Sequence, residues 1–256
     1  ELFPGAPVTR NEQSTESADG YTAEIQYLAR LRRMDYIVGV GFHQQDFSLI
    51  GSVVESAPGF PPLFEETLDS TRDEKHPNTY LYTYFHPSDA ATLTLGLSWD
   101  RYELSSGLTQ LDESQANPKA GVVWSVRPGT KIRLAGFRVL KRSLVSSQTL
   151  EPTQVAGFNQ FFDDPTATDS TRYGLGFDHA ISRRAAAGLE ITRRKLIVPI
   201  INPITGSVVE EDQQQRTNRL YLHWLPTGRL GVAAEYYDEY FERDRLVTNL
   251  RTPGKL

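Results

Sequence analysis

The chain has 256 residues, 39% hydrophobic and 11% aromatic content, and a formal net charge of -5. A mean hydropathy of -0.43, with no run of about 18 apolar residues, excludes a helical membrane protein but not a membrane β-barrel, whose strands are only half apolar. The acidic balance, with a pI near 5.6, argues against nucleic-acid binding, and the absence of cysteine removes disulfides, thiolate metal sites and cysteine nucleophiles.

Residues 1–20 are rich in Pro, Gly, Ser, Thr and Glu without a sustained period and read as a loop or linker. A start at Glu1, without Met, leads us to expect a processed or partial segment of a longer protein. Tyr21, Ala23, Ile25, Tyr27 and Ala29 then alternate with polar partners as a first strand. A turn near Leu31 to Met34 leads into Tyr36, Val38, Val40 and Phe42, with Gly39, Gly41 and His43 opposite. From about 45 to 76 no long alternation survives, and Pro58, Gly59, Pro61 and Pro62 mark an irregular connection.

The clearest pattern is Asn78 to Glu103. Ala91, Leu93, Leu95, Leu97 and Trp99 alternate with Thr92, Thr94, Gly96, Ser98 and Asp100, and His86-Pro87-Ser88-Asp89 supplies the tight turn before them. A shorter polar loop is expected near 104–117. The third hairpin, Lys119 to Lys141, turns at Arg127-Pro128-Gly129-Thr130, where Pro then Gly suits a type II turn. Its return strand is ambiguous, with Ile132 and Leu134 on one side and Ala135, Phe137 and Val139 on the other. A long loop near 142–171 precedes a fourth hairpin through Ser182-Arg183-Arg184. A loop near 196–215 precedes a fifth, which turns at Pro226-Thr227-Gly228.

These elements amount to about ten strands in five hairpins over 21–256, with tight turns at one end and long connections at the other. That alternation predicts an all-β, antiparallel transmembrane β-barrel, or part of a larger one. Aromatic residues near strand ends, Tyr82, Tyr84, Trp99, Trp124, Trp224, Tyr236 and Tyr240, are membrane-girdle candidates; the other reading makes them sheet-core aromatics. The expected partners are the lipid bilayer, other envelope proteins or a periplasmic domain of the same chain.

The run Asn117-Pro118-Lys119-Ala120-Gly121-Val122-Val123-Trp124, then Arg127-Pro128-Gly129-Thr130, Arg133-Leu134-Ala135 and Thr149-Leu150-Glu151-Pro152, resembles the mid-barrel region of TonB-dependent outer-membrane receptors. It also resembles barrels attached to tetratricopeptide-repeat proteins of the Gram-negative envelope. The resemblance covers about 40 residues and implies an outer-membrane barrel that passes or binds a solute or polymer. Gln154-Val155-Ala156-Gly157 stands where an acid-rich continuation is expected, and the sequence holds no plug or TonB-interaction segment.

Catalytic and metal chemistry find little support. His43, His76, His86, His179 and His223 lack ligand spacing, and Asp163-Asp164 is expected at the opposite end of the strands from Asp178-His179, too far for an acid–histidine pair. No phosphate loop, Gly-x-Ser-x-Gly or His-Glu-x-x-His occurs. No enzyme activity and no cofactor are therefore expected. The glycines spaced by two, Gly39 with Gly41 and Gly174 with Gly176, read as places where bulky groups lie close to a strand face. The alternative to a barrel is a soluble all-β binding or catalytic module, a sandwich or propeller fragment.

Overall fold

The computed structural model describes residues 9–57, 61–107, 109–143, 148–202 and 205–243. The strands are β1 (Thr9–Arg30), β2 (Met34–Ser56), β3 (Phe64–Ser88), β4 (Ala91–Ser106), β5 (Thr109–Arg127), β6 (Thr130–Leu140), β7 (Gln154–Val155), β8 (Phe158–Asn159), β9 (Asp169–Ser182), β10 (Ala185–Ile201), β11 (Val208–Thr227) and β12 (Leu230–Arg243). Ten of them form one antiparallel sheet in the order β1-β2-β3-β4-β5-β6-β9-β10-β11-β12. The pair β7-β8 forms a separate small hairpin. Neighbours in the sheet follow chain order, so it is an up-and-down meander, and its edges, β1 and β12, do not meet.

Tight turns close five hairpins at one end. At the turn between β5 and β6, Gly129 has a φ of +78°, as the second central position of a type II turn requires. The other end departs from expectation. Residues 9–20 continue β1, most of 45–76 belongs to β2 and β3, 104–117 is mostly β4 and β5, and 196–215 is mostly β10 and β11. Residues 1–8 lie outside the described residues. The unbroken register from Thr9↔Ser56 to Arg30↔Asp35 and from Met34↔Phe85 to Glu55↔Phe64 shows why. The ladder satisfies the backbone whatever the side chains are, and where both faces meet water the period-2 signal fades. Among the described residues, only the stretch between β6 and β9 remains a long connection.

The two faces differ in chemistry. One row of partners runs Val40, Thr79, Trp99 and Ala116, and another runs Val38, Leu81, Leu97 and Pro118. This outer face is apolar yet open: Leu95 is 62% exposed, and Ile25, Val38, Leu175, Leu220 and Trp224 are exposed too. The opposite parity carries Asn78, Ser98, Asp100, Asn117, Lys119, Arg172 and Arg194, all buried. What buries them is the connection between β6 and β9, which folds back along this inner face. The apolar cores are accordingly small and lie beneath it: Phe137, Val139, Val155 and Phe158 in one, Tyr102, Leu104, Leu140 and Ala167 in the other. The ambiguity of β6 thereby resolves. Ile132 and Leu134 face outward beside Trp124 and Val122, while Phe137 and Val139 meet the folded-back segment.

Candidate functional site

The segment 148–162 is built to sit on the wall. At its turn Ala156 and Gly157 have φ of 49° and 84°, so both central residues of the β7-β8 hairpin are left-handed, as a type I′ turn demands. Alanine in that region costs on the order of 1–2 kcal/mol, which the packing around it must offset. Glycines of the wall make room. A Cβ on Gly121 would lie 2.8 Å from the Ala156 methyl and 2.9 Å from Val155, and one on Gly174 would lie 2.5 Å from the Phe158 ring. Gly176 makes way for the Arg133 guanidinium, Gly39 for the Tyr80 ring and Gly41 for Asn78, as their spacing predicts.

Charge and hydrogen bonds fasten the segment at both ends. Arg142 Nη2 lies 3.0 Å from Glu151 Oε2, with both side chains 3% exposed. The Tyr82 hydroxyl donates to Glu151 Oε1 at 2.7 Å and accepts from Gln160 Nε2 at 3.0 Å. From the far side of the wall, Glu24 accepts from the Thr149 hydroxyl at 2.8 Å and from the Leu150 amide, while Gln26 donates to the Leu150 carbonyl. Arg133 bonds Asp178 at 2.8 Å and lies 5.0 Å from the Phe158 ring centre, and Arg194 pairs with Asp164 under Phe162. Asp164 and Asp178 are thus committed to different arginines. His179 faces the other way, with its Nδ1 2.9 Å from the Thr130 hydroxyl, so no acid–histidine pair forms there.

Beside this segment lies an open basin of about 1260 Å³. Thr22, Glu24 and Gln45 form one side of it, and Lys141, Arg142, Phe161, Phe162 and Asp163 form another. Nearby, His43 and His76 stand directly opposite each other on β2 and β3. His76 Nε2 is 3.2 Å from Asp100 Oδ1, and its Nδ1 has no partner, the pattern of a neutral imidazole donating to a carboxylate. Burial holds His76 below its usual pKa. Asp100 also sits below the usual carboxylate value, because His76, Arg142 and Ser98 favour its ionised form over the cost of burial. Among the described residues no group of three or more His, Asp or Glu is placed to hold a metal ion.

The predicted girdle residues divide by face. Trp99, Trp124, Trp224, Tyr236 and Tyr240 are exposed on the outer face. Tyr82 and Tyr84 lie on the opposite, inner face. They share the inner parity of Asn78 and Tyr80, opposite Gly96 and Thr94, and Tyr82 is 0% exposed beneath Glu151. In Tyr80-Leu81-Tyr82-Thr83-Tyr84-Phe85 both parities are apolar enough to face lipid, so the aromatic count could not choose. Sequence reasoning missed Glu24, Arg142, Glu151 and Gln160. One advance signal was the glycines at 121 and 174, which mark a face that something must approach.

Comparison with solved structures returns outer-membrane receptors. The siderophore receptor PiuA from Acinetobacter baumannii superposes with a TM-score of 0.62 at 12% identity, over 90% of this chain and 39% of that one. The ferric preacinetobactin receptor BauA from Acinetobacter baumannii gives 0.60 at 12% identity, over 93% and 38%. FpvA from P. aeruginosa, bound to heterologous pyoverdines, gives 0.60 at 12%, over 91% and 34%. The ten strands have the fold of a TonB-dependent receptor wall. The chain spans between a third and two fifths of the length of these three receptors. They lend no support to the resemblance with tetratricopeptide-associated barrels. No protein-family model matches the sequence, and no curated protein matches it.

Proposed function

We propose that the chain forms part of the wall of an outer-membrane barrel that takes up or captures a solute, with residues 141–143 and 148–168 as its lumenal recognition element. The observation that carries this is the opposition of the faces: exposed and apolar on one side, polar and occupied by a folded-in segment on the other. A soluble sandwich would need a second sheet over Leu95, Leu175 and Leu220, and the described residues contain none. The apolar band has membrane dimensions. Trp124 pairs with Ala91, and Trp99 lies eight residues further along β4, about 26 Å of strand or about 20 Å of height at the usual tilt.

In this reading the tight turns face the periplasm, and Trp99, Trp124, Trp224, Tyr236 and Tyr240 stand at or near the headgroup boundaries. Further strands close the wall, since an open edge in lipid leaves backbone groups unpaired. The outer ends of β1, β2 and β3 project past the bilayer. The basin places Lys141, Phe161, Phe162 and Asp163 opposite Thr22, Glu24 and Gln45, a surface suited to a polar, ring-bearing solute such as the metal chelates that the matched receptors carry.

Membrane fractionation of the native protein, followed by gel migration with and without boiling, tests the reading. Extraction by detergent only, with a heat-dependent mobility shift, is the expected result. Recovery in the soluble fraction without a shift overturns it.

A further inference from the structure

Two histidines lie in the inner patch beside the folded-back segment and, among the described residues, bond to none of it. His43 and His76 stand opposite each other on β2 and β3, 4% and 1% exposed. They lie three residues past the Val40–Thr79–Trp99 row and so outside the apolar band. In this patch four buried nitrogens have no hydrogen-bond partner: His43 Nε2, His76 Nδ1, Asn78 Nδ2 and Arg142 Nε. The other ring nitrogens are engaged, His76 Nε2 with Asp100 and His43 Nδ1 with the Thr22 hydroxyl at 3.1 Å. In the neutral tautomers that donate to Asp100 and Thr22, two lone pairs stand among two donors. Protonation of both rings leaves four donors and no acceptor.

The acids around the pair are already committed. Asp100 accepts from His76, Ser98 and Asn117, and Glu74 pairs with Arg72 and accepts from Ser143. Glu151 is held by Arg142 and Tyr82, and Glu24 by Thr149 and Leu150. Tyr80 on β3, Tyr102 on β4 and Lys119 on β5 are the other titratable groups around the rings and Arg142. Arg142 links the histidines to the segment. It grips Thr149 at 2.8 Å, Glu151 at 3.0 Å and the Phe161 ring at 5.2 Å. Burial first, and with it the field of Arg142, hold both rings below the ordinary value of 6.5 against the pull of Glu74 and, for His76, of Asp100.

We propose that His43 and His76 form an acid-sensitive latch: protonation of the facing pair beside Arg142 releases the segment 148–162 from the wall. What the latch controls, access to the basin, rests on the barrel reading above; the latch itself does not. The strands cannot yield, because β2, β3 and β4 are each bonded to two neighbours, so the repulsion falls on the connection that leaves the ladder at Leu140 and rejoins it at Asp169. Lifting the segment returns both rings to water, where they take up protons near 6.5. Protons therefore bind the open form better and shift the equilibrium towards it. The closed form is fully favoured above that value and loses ground as pH drops through it. The basin, which shares Thr149, Leu150 and Phe161 with the segment, opens with it.

Hydrogen exchange of the full-length protein in detergent, at pH 7.5 and pH 5.5, tests the latch. Amides of 150–160 are measured against strand amides of β4 and β5, so that the intrinsic pH dependence of exchange cancels. Each histidine contributes up to about tenfold over this range, so the wild-type segment should open about tenfold to a hundredfold more at pH 5.5. His43→Gln with His76→Gln should remove most of that response, either single change should leave part of it, and His179→Gln, at the tight-turn end, should leave all of it. An equal ratio at the two pH values in the wild type overturns the proposal, as does an undiminished response in the double variant or in both single variants. A parallel acid-dependent rise in the β4 and β5 amides also overturns it, since that marks unfolding of the sheet. Absence of heat-modifiable migration fails the barrel reading instead, and the exchange ratio still decides the latch.

Discussion

Phe158→Ala should release the segment 148–162 from the wall while leaving the sheet intact. The ring is 1% exposed, packs with Phe137, Val139 and Val155, and lies over Gly174. Arg133 and Arg172 stand 5.0 and 5.8 Å from its centre. A buried Phe→Ala change costs about 3–5 kcal/mol, and loss of the two cation–π contacts places this site toward the upper part of that range. The strands keep their ladder bonds, so the cost falls on local opening of the segment rather than on the whole fold. At about 1.4 kcal/mol per tenfold change, a 3 kcal/mol loss raises the opening equilibrium by about a hundredfold.

Hydrogen exchange of the amides of 150–160 reads this directly, with strand amides of β4 and β5 as the internal standard. Gly174→Ala should give the same phenotype from the other side, since its Cβ would stand 2.5 Å from the ring. Exchange in 150–160 within about threefold of wild type, for both variants, would refute the idea that this contact holds the segment in place.

Arg142→Met should destabilise the same region by about 3–5 kcal/mol, because it strands the buried Glu151 carboxylate. Adding Glu151→Gln should restore most of the loss, as seen in chemical denaturation of the refolded protein. Leu95→Arg, on the exposed apolar face, should cost about 2–4 kcal/mol in a bilayer, and folding into vesicles followed by gel mobility would show it as slowed assembly. Acidification should weaken the fold through His76. Its pKa is lowered by burial, so the unfolded chain takes the proton first. Stability is then full above the ordinary value of 6.5 and falls as pH drops through it, by up to about 1.4 kcal/mol per unit. His43, also lowered chiefly by burial, adds to the fall in the same direction. Asp100, held below 3.8, keeps its contribution until still lower pH. Thermal melting between pH 7.5 and pH 5 should show the decline, and His76→Gln should flatten it.

How much of this was legible in the sequence depends on what water each face meets. Leu93, Leu95, Leu97 and Trp99 announced a strand because one side had to be apolar and the other did not. The same strands beyond the band, in Glu65 to Lys75 or Val208 to Gln215, carry polar side chains on both faces, and even the buried Glu74, Glu211 and Gln213 are polar, so apolar alternation has no cause and the sequence reads as loop. Proline and acid content then misled further, since the ladder tolerates both on a wet, twisted ribbon. The turns were legible for a local reason, as Pro128-Gly129 carries its φ requirement with it.

The inner site was nearly silent, and the reason is physical. Glu24, Tyr82, Arg142 and Glu151 come from strands and a connection separated by as many as 126 residues, and their bonds depend on a segment folding back rather than lying outside. Two clues were nonetheless present. Phe137 and Val139 gave β6 an apolar inner side where a water-filled lumen would not call for one. Gly121 and Gly174 removed side chains from the same patch on flanking strands. An apolar inner patch beside missing Cβ atoms has one economical explanation, that another part of the chain packs there. Val155, Ala156 and Phe158, in the stretch that departs from the expected acid-rich continuation, are the side chains that fill it.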